Sequence, residues 1–326
     1  MLKRIMVLIL LAGGAFFLHQ CSTDVDLYAD YKMITIVYGI LDQEDDTAWI
    51  KVTRAFSGPG NALDFAQNPD SSNFPYKLDV RLTGRKNGVD LPELVFDTMT
   101  IRNKKAGDSI FYFPNQLMYY SPAQLDEDAT YHLVINNQDI EITSETDLIP
   151  NFSITAPRNF IDFTTNNKTI DWISARYGKR YEVSYVFHYK ELRPGNPDTL
   201  DKQMSWFVGT RFSADTDGGE DMFKSYAGDA FYAKLESDLE DVPNVQRWAG
   251  VVDFYVSAGS QTLQNYLSIN EATGTLLTEV PAYTNIVNGT GILAARSTTI
   301  KSARLSTRSL EMLVDDYDLG FRYPIE

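Results

Sequence analysis

The sequence predicts a mostly β protein built as two antiparallel β-sandwich domains. Three observations carry that expectation: apolar residues alternate with polar ones over several segments, Asn/Gly-rich turns separate those segments, and Pro150 and Pro157 bracket a break between two groups of them. In chain order, Ile34, Ile36, Tyr38 and Ile40 alternate with Met33, Thr35, Val37 and Gly39, a period-two pattern that marks a strand with at least one buried face. Thr47 to Phe56 follows as its neighbour. The Ser57 to Pro75 connection is long for a hairpin and holds a short helical segment over Ala62 to Gln67; connections of that length often carry binding. Tyr76, Leu78, Val80 and Leu82 then interleave with Lys77, Asp79, Arg81 and Thr83, and Asn87-Gly88 supplies the positive-φ residues of a tight turn. Tyr131, Leu133 and Ile135 form a further strand, Asn136 to Asp139 turn it, and Ile140 and Ile142 run back. The first sandwich is expected over 33–149 and the second over 150–326.

In the second half, Thr169-Ile170-Asp171-Trp172 precedes Tyr181, Val183, Tyr185, Phe187 and Tyr189, which alternate with Glu182, Ser184, Val186, His188 and Lys190. This resembles the buried Trp and following aromatic strand of fibronectin-type and immunoglobulin-like modules; an ordinary β-hairpin accounts for the same residues. Two helices are expected to pack on this domain. Phe223, Ala227, Phe231, Leu235 and Leu239 recur at every fourth position, predicting a helix near 220–240 with Glu220 and Asp221 in its first turn, where carboxylates favour the helix dipole. Ser306 as N-cap, followed by Leu310, Leu313 and Val314, predicts a second near 307–315.

Ahead of the strands, Lys3 and Arg4 precede an uninterrupted apolar run from Ile5 to Leu18, which ends at His19-Gln20-Cys21, and Cys21 is the chain's single cysteine. The run falls short of the about 20 apolar residues that a spanning helix needs. The layout resembles a bacterial lipoprotein signal peptide, with Leu18 three residues before the cysteine as in the lipobox; Gln20 departs from the small residue usual there. The resemblance implies that 1–20 is a signal peptide, that Cys21 is the lipid attachment site, and that 21–32 is a tether. Asp24 does not stand beside the cysteine, so the usual inner-membrane retention signal is absent. Anchorage in the outer membrane, on its periplasmic or cell-surface face, is the expected location.

Charge and composition narrow the function. The chain carries 44 acidic and 29 basic residues, and without Lys3 and Arg4 the mature charge would be about −17. That argues against nucleic acid as a partner, since a phosphate-binding face needs concentrated Lys and Arg. With Cys21 lipidated, there is neither a disulfide nor a cysteine nucleophile. His132 and His188, once His19 leaves with the signal, both fall on the polar side of their strands, and neither G-x-S-x-G nor H-E-x-x-H occurs. Gly-rich nucleotide loops are missing as well, so no cofactor and no enzymatic activity are expected. The acid clusters Glu44-Asp45-Asp46, Asp126-Glu127-Asp128 and Asp315-Asp316 read as solvated turns. Calcium is the best metal candidate, at Asp215, Asp217 and Asp221, where acids alternate beside Gly218 and Gly219. A capped helix start explains the same residues. Among aromatics, Tyr112, Tyr119 and Tyr120 in the Phe111 to Tyr120 cluster are the candidate ligand-binding side chains, with core packing as the alternative.

Ile36 to Asp42, Trp49 to Phe56 and Tyr283 to Ile292 resemble segments of an uncharacterised, domain-of-unknown-function family of Gram-negative outer-membrane lipoproteins, often encoded beside TonB-dependent receptors. The resemblance implies location and company, with no catalytic residues to carry over. The expected role is a non-enzymatic, membrane-anchored binding or accessory protein with an outer-membrane protein partner. The alternatives are a fimbrillin-like structural subunit, which would need a donatable or removable terminal strand, and a carbohydrate-binding surface protein using the Tyr119 region.

Overall fold

The protein's structure, a computed structural model, describes residues 34–55, 62–102, 115–164, 168–272 and 283–324. A ten-stranded sheet runs through it. In spatial order its path is Leu200–Phe212 (β14), Gly178–Leu192 (β13), Gln246–Ser260 (β16), Gly289–Leu305 (β17), Thr35–Leu41 (β1), Thr47–Arg54 (β2), Gln116–Pro122 (β7) and Asp97–Ile101 (β6). Phe160–Ile161 (β11) and Phe321–Arg322 (β18) add to β17 and β16. A second sheet holds Asp79–Lys86 (β3), Val89–Asp90 (β4), Leu94–Val95 (β5), Thr130–Asn137 (β8) and Ile140–Asp147 (β9), and a third Ile154–Ala156 (β10), Lys168–Ile173 (β12) and Asp221–Tyr226 (β15). Helices are few: Ala62–Gln67 (α1), Pro69–Ser72 (α2), Gly228–Asp238 (α3), Gln261–Ala272 (α4) and Thr307–Glu311 (α5), the last continued by a π-turn over Met312–Asp316.

The expected class therefore holds: mostly β, in antiparallel sandwiches with a few packed helices. The two sandwiches are not independent along the chain, however, because one sheet serves both. β17 is 17 residues long, a reach of about 56 Å at 3.3 Å per residue. Its first part, Gly289 to Ala295, lies parallel to β1 of the first sandwich, while Arg296 to Arg304 pairs antiparallel with β16 of the second. The expected domain over 150–326 thus returns a strand to the one over 33–149. At the crossing point, the buried Gln43 amide donates to Ser297 Oγ at 3.0 Å and to Asn151 Oδ1 at 3.3 Å, and Arg296 meets the Asp42 carboxylate at 3.4 Å.

Alternation identified β1, β3, β8, β9 and β13, and on β3, β8 and β13 the apolar stripe is the buried one. Leu78, Val80, Leu82, Tyr131, Leu133 and Ile135 are buried as a stripe, and so are Tyr181, Val183, Tyr185, Phe187 and Tyr189. Trp172 is fully buried against Tyr181, ring centroids 5.7 Å apart, and the Tyr181 hydroxyl accepts from Ala175 N at 2.8 Å. On β1 the lesser stripe went inside: Thr35, Val37 and Leu41 are buried, whereas Tyr38 and Ile40 remain 40% and 42% exposed.

The helix expected near 220–240 is shorter than its apolar period suggested. Asp221 to Tyr226 is strand β15, with Met222 and Tyr226 inward and Phe223 exposed, because pairing with β12 satisfies its backbone and Tyr226 reaches the Asp162 carbonyl at 3.3 Å. Only Phe231 and Leu235 of the stripe lie buried within α3; Ala227 is its N-cap and Leu239 its C-cap. Ser306 caps α5, its Oγ accepting from Ser309 N at 3.1 Å. α4 had no counterpart in the sequence reading, although Ser260 followed by Leu263, Tyr266 and Leu267 is a capped amphipathic pattern.

Candidate binding surfaces

Several candidate residues move out of contention on geometry. Tyr119 is a core side chain: its ring is buried and its hydroxyl accepts from Leu78 N at 3.0 Å, joining the two layers of the first sandwich. It cannot stack on a ligand in this position. Tyr120, one residue on and therefore on the opposite face of β7, is half-buried and packs on Trp49 with centroids 5.6 Å apart. Tyr112 and Cys21 lie outside the described residues.

The acidic loop is built as a turn. Asp215 Oδ1 accepts from Asp217 N at 3.0 Å, Glu220 Oε2 accepts from Ala214 N at 2.8 Å, and Asp221 opens β15 opposite Ile173. Gly218 has φ +83 and lies so close to the Arg176 backbone that a Cβ would stand 2.7 Å from Arg176 N. Of the residues read as calcium ligands, Asp215 thus spends its carboxylate on a backbone hydrogen bond, while Asp217 and Asp221 take part in the loop through their backbones. Among the described residues there is no group of three or more His, Cys, Asp or Glu side chains placed to share a metal ion.

The histidines sit on the outer side of their strands. His132 Nδ1 lies 3.1 Å from Glu145, and His188 Nε2 lies 2.9 Å from Asp253 Oδ2. Asp253 Oδ1 also accepts from Ser302 Oγ at 2.5 Å. Here the aspartate stands between serine and histidine. An acyl-transfer triad needs the histidine in the middle, so this imidazole has no contact through which to take the Ser302 proton.

A cleft of about 630 Å³ lies where the C-terminal end of α3 approaches β18, lined by Glu236, Glu240, Asp241, Asp318, Arg247 and Arg322 among others. Its inner wall is a structural network. Arg247 and Glu191 are 3% and 2% exposed and bonded at 2.8 Å, and Arg247 also donates to the carbonyls of Leu319 at 2.7 Å and Glu240 at 2.9 Å. Burial opposes ionisation of Glu191, but hydrogen bonds from Arg193 and Arg247 outweigh it and hold the carboxyl below its ordinary range. The cleft carries four carboxylates, and of its two arginines Arg247 is engaged in the wall.

The outward face of the large sheet is the remaining surface of note. Registers place Phe207, Ser184, Tyr255 and Ile300 in one row across β14, β13, β16 and β17, with Ser205, Val186, Asp253 and Ser302 beside it. Phe207 and Ile300 are 57% and 56% exposed, and Phe212 and Val251 are exposed nearby. α4 lies on this same face: Leu263 sits over Gly259, and Arg180 donates to Gln264 at 3.3 Å and Glu271 at 3.0 Å. Beyond α4, β1, β2, β7 and β6 present Ile36, Tyr38, Ile40, Trp49, Met118, Tyr120 and Met99 outward. Of these residues the sequence reading singled out only Tyr120 as a binding candidate; a further signal was there in β1, where both alternating stripes are largely apolar.

No family model matches the chain, and no curated protein matches it. Among solved structures, the C-terminal globular domain of oligosaccharyltransferase from Pyrococcus abyssi aligns at 9% identity and TM-score 0.24, over 67% of this chain and 47% of that one. Calcium binding domain CBD12 of CALX1.1 aligns at 10% identity and TM-score 0.15, over 83% and 99%. The alignment to the first thus spans about half of that chain's length. Likenesses this distant carry no argument about fold or chemistry, so the functional reading rests on the chain's own residues.

Proposed function

We propose that the protein is a non-enzymatic binding protein, held in the outer membrane by lipid on Cys21, that acts as accessory to a membrane-protein partner such as a TonB-dependent receptor. The observation that carries the reading is the outward face of β14, β13, β16 and β17, where exposed Phe207 and Ile300 and half-buried Tyr255 stand in one row, with Ser184 between Phe207 and Tyr255. Sheet faces that look to water are ordinarily polar; exposed aromatic and aliphatic anchors on a stiff scaffold are the composition of interface centres. The cationic start, apolar run and Cys21 support the anchor. The acidity of the chain fits a protein partner better than an anionic polymer.

A fimbrillin-like subunit is less well supported. β1 is hydrogen-bonded on both edges, to β17 and β2, so removing it would split the large sheet. The glycan reading loses its anchor with Tyr119 in the core.

Affinity purification of the lipidated protein from its native outer membrane in mild detergent tests the proposal. A stoichiometric membrane protein that co-elutes with wild type, and is lost from a Phe207→Ser/Ile300→Ser double variant, is the expected result. Recovery of copies of the chain alone would favour the polymer.

A further inference from the structure

The second apolar region of the outward face has a different composition and a different neighbour. The registers set Tyr38 beside Ile292 and Lys51, Ile40 beside Ala294, Trp49 beside Tyr120, Met118 beside Met99 and Tyr120 beside Asp97, so that these residues share one face of β17, β1, β2, β7 and β6. Ile292 and Ala294 are buried on the side where α4 packs, and Tyr266 of α4 meets the Tyr38 ring at 6.1 Å. Tyr38, Ile40 and Met99 are exposed to 40%, 42% and 43%. Lys51 Nζ reaches Gln116 Oε1 at 3.2 Å. The face therefore carries Ile40, Met118 and Met99 beside the rings of Tyr38, Trp49 and Tyr120 with their polar atoms, and has a single lysine and a single aspartate among these residues. β1 turned its bulkier apolar stripe toward it, and buried Thr35, Val37 and Leu41 instead.

We infer that this face docks on the lipid surface to which the chain is anchored, with Tyr38, Ile40, Trp49 and Tyr120 seated at the headgroup level. Tyr and Trp favour that depth because one end of the ring system is apolar and the other binds water. Position supplies the occupant. Twelve residues separate Cys21 from Ile34, a contour of at most about 45 Å, and Ile34 immediately precedes β1, the strand that carries Tyr38 and Ile40. A lipid on Cys21 thus holds this face, which begins where the tether ends, within reach of the bilayer. At such a leash the effective concentration of membrane is high, so a modest apolar face suffices to dock. The chain would then lie against the bilayer through this part of the large sheet. This rests on the proposed lipidation of Cys21.

The test uses the acylated full-length protein, its acylation verified by mass, reconstituted in phosphatidylethanolamine/phosphatidylglycerol vesicles with or without brominated acyl chains. Bromine quenches indole fluorescence only at close range, and Trp49 is the one of the four tryptophans on this face. The expected result is flotation with the vesicles and a quenched component of the emission that disappears in Trp49→Phe. The same component should be lost in Tyr38→Ser/Ile40→Ser, with an unchanged circular dichroism spectrum. Flotation without quenching would overturn the docking while leaving the anchor in place. Failure of the acylated protein to float would overturn both. Absence of quenching together with concentration-dependent dimerisation would assign the face to a second copy of the chain.

Discussion

The two faces of the large sheet are made of similar side chains and meet different fates. On the inner face, Tyr181, Val183, Tyr185, Phe187, Phe254 and Val256 are fully buried, and aromatic rings from other elements lock onto them, as Phe231 does on Phe187 at 5.2 Å. On the outer face Phe207, Ile300, Tyr38 and Ile40 are exposed, and Tyr255 is half-buried, one residue from Phe254 and Val256 along the same strand. Hydrophobicity alone does not place a side chain in the core. What separates the two is whether a second layer covers the face, and here β3, β8, β9, β12 and β15 cover one side while α4 covers only a strip of the other.

The comparison can be broken most severely at the buried polar end of the inner face. Arg247→Met leaves the buried Glu191 carboxylate with Arg193 alone and takes the Arg247 donors from the Leu319 and Glu240 carbonyls, and is expected to cost about 3 kcal/mol or more in urea denaturation. The same pair predicts an acid limb. Because the folded-state pKa of Glu191 is depressed, its contribution is present above the unfolded value of about 4.3 and is lost as pH falls through the folded value. A wild-type urea midpoint that drops below about pH 4.5 should lose part of that drop in Glu191→Gln; identical slopes in both proteins would remove the assignment. Phe187→Ala opens a cavity between Tyr189, Phe231 and Phe321 and should also cost about 3–5 kcal/mol, read from the denaturation midpoint.

An intermediate effect is expected where the sandwiches join. Gly291 has φ +105, and a Cβ there would stand 1.9 Å from the Val37 carbonyl oxygen, so that the parallel approach of β1 and β17 depends on its lack of a side chain. Gly291→Ala should destabilise by about 2 kcal/mol or more, with faster amide exchange in β1. The smallest effect belongs to the outer face. Ile300→Ser is expected to change stability by no more than about 0.5 kcal/mol. A loss comparable to that of Phe187→Ala would mean that the outer face is covered within the protein and would sink the contrast.

Much of this architecture was legible in residue order. Leu78, Val80 and Leu82, or Tyr181 to Tyr189, could be read because one face is strongly apolar and the other strongly polar, so the period and the buried side coincide. β1 was readable as a strand but not as to its side, since Ile36/Tyr38/Ile40 and Val37/Leu41 are both apolar sets. Phe223 to Leu239 misled because a fourfold apolar recurrence is also produced by a strand running into a helix; backbone pairing of β15 with β12 decided it. Tyr119 and Tyr120 looked equivalent as neighbours in sequence, and strand geometry sent one to the core and the other out. The candidate surfaces were scarcely legible, because Phe207, Tyr255 and Ile300 come from three strands whose register no single segment encodes.

The amino-acid sequence by itself determined the β class, the positions of β1, β2, β3, β8, β9, β12 and β13, the acidic character and the leader-like segment ending at Cys21, because each depends on local periodicity, turn chemistry or composition. Tertiary structure alone decided that one 17-residue strand would serve both sandwiches, which face of β1 would meet solvent, and which aromatics would be anchors. Those outcomes depend on pairing between segments as far apart as Thr35 and Gly289, and the free energy of such pairing belongs to the partners jointly rather than to either stretch of chain.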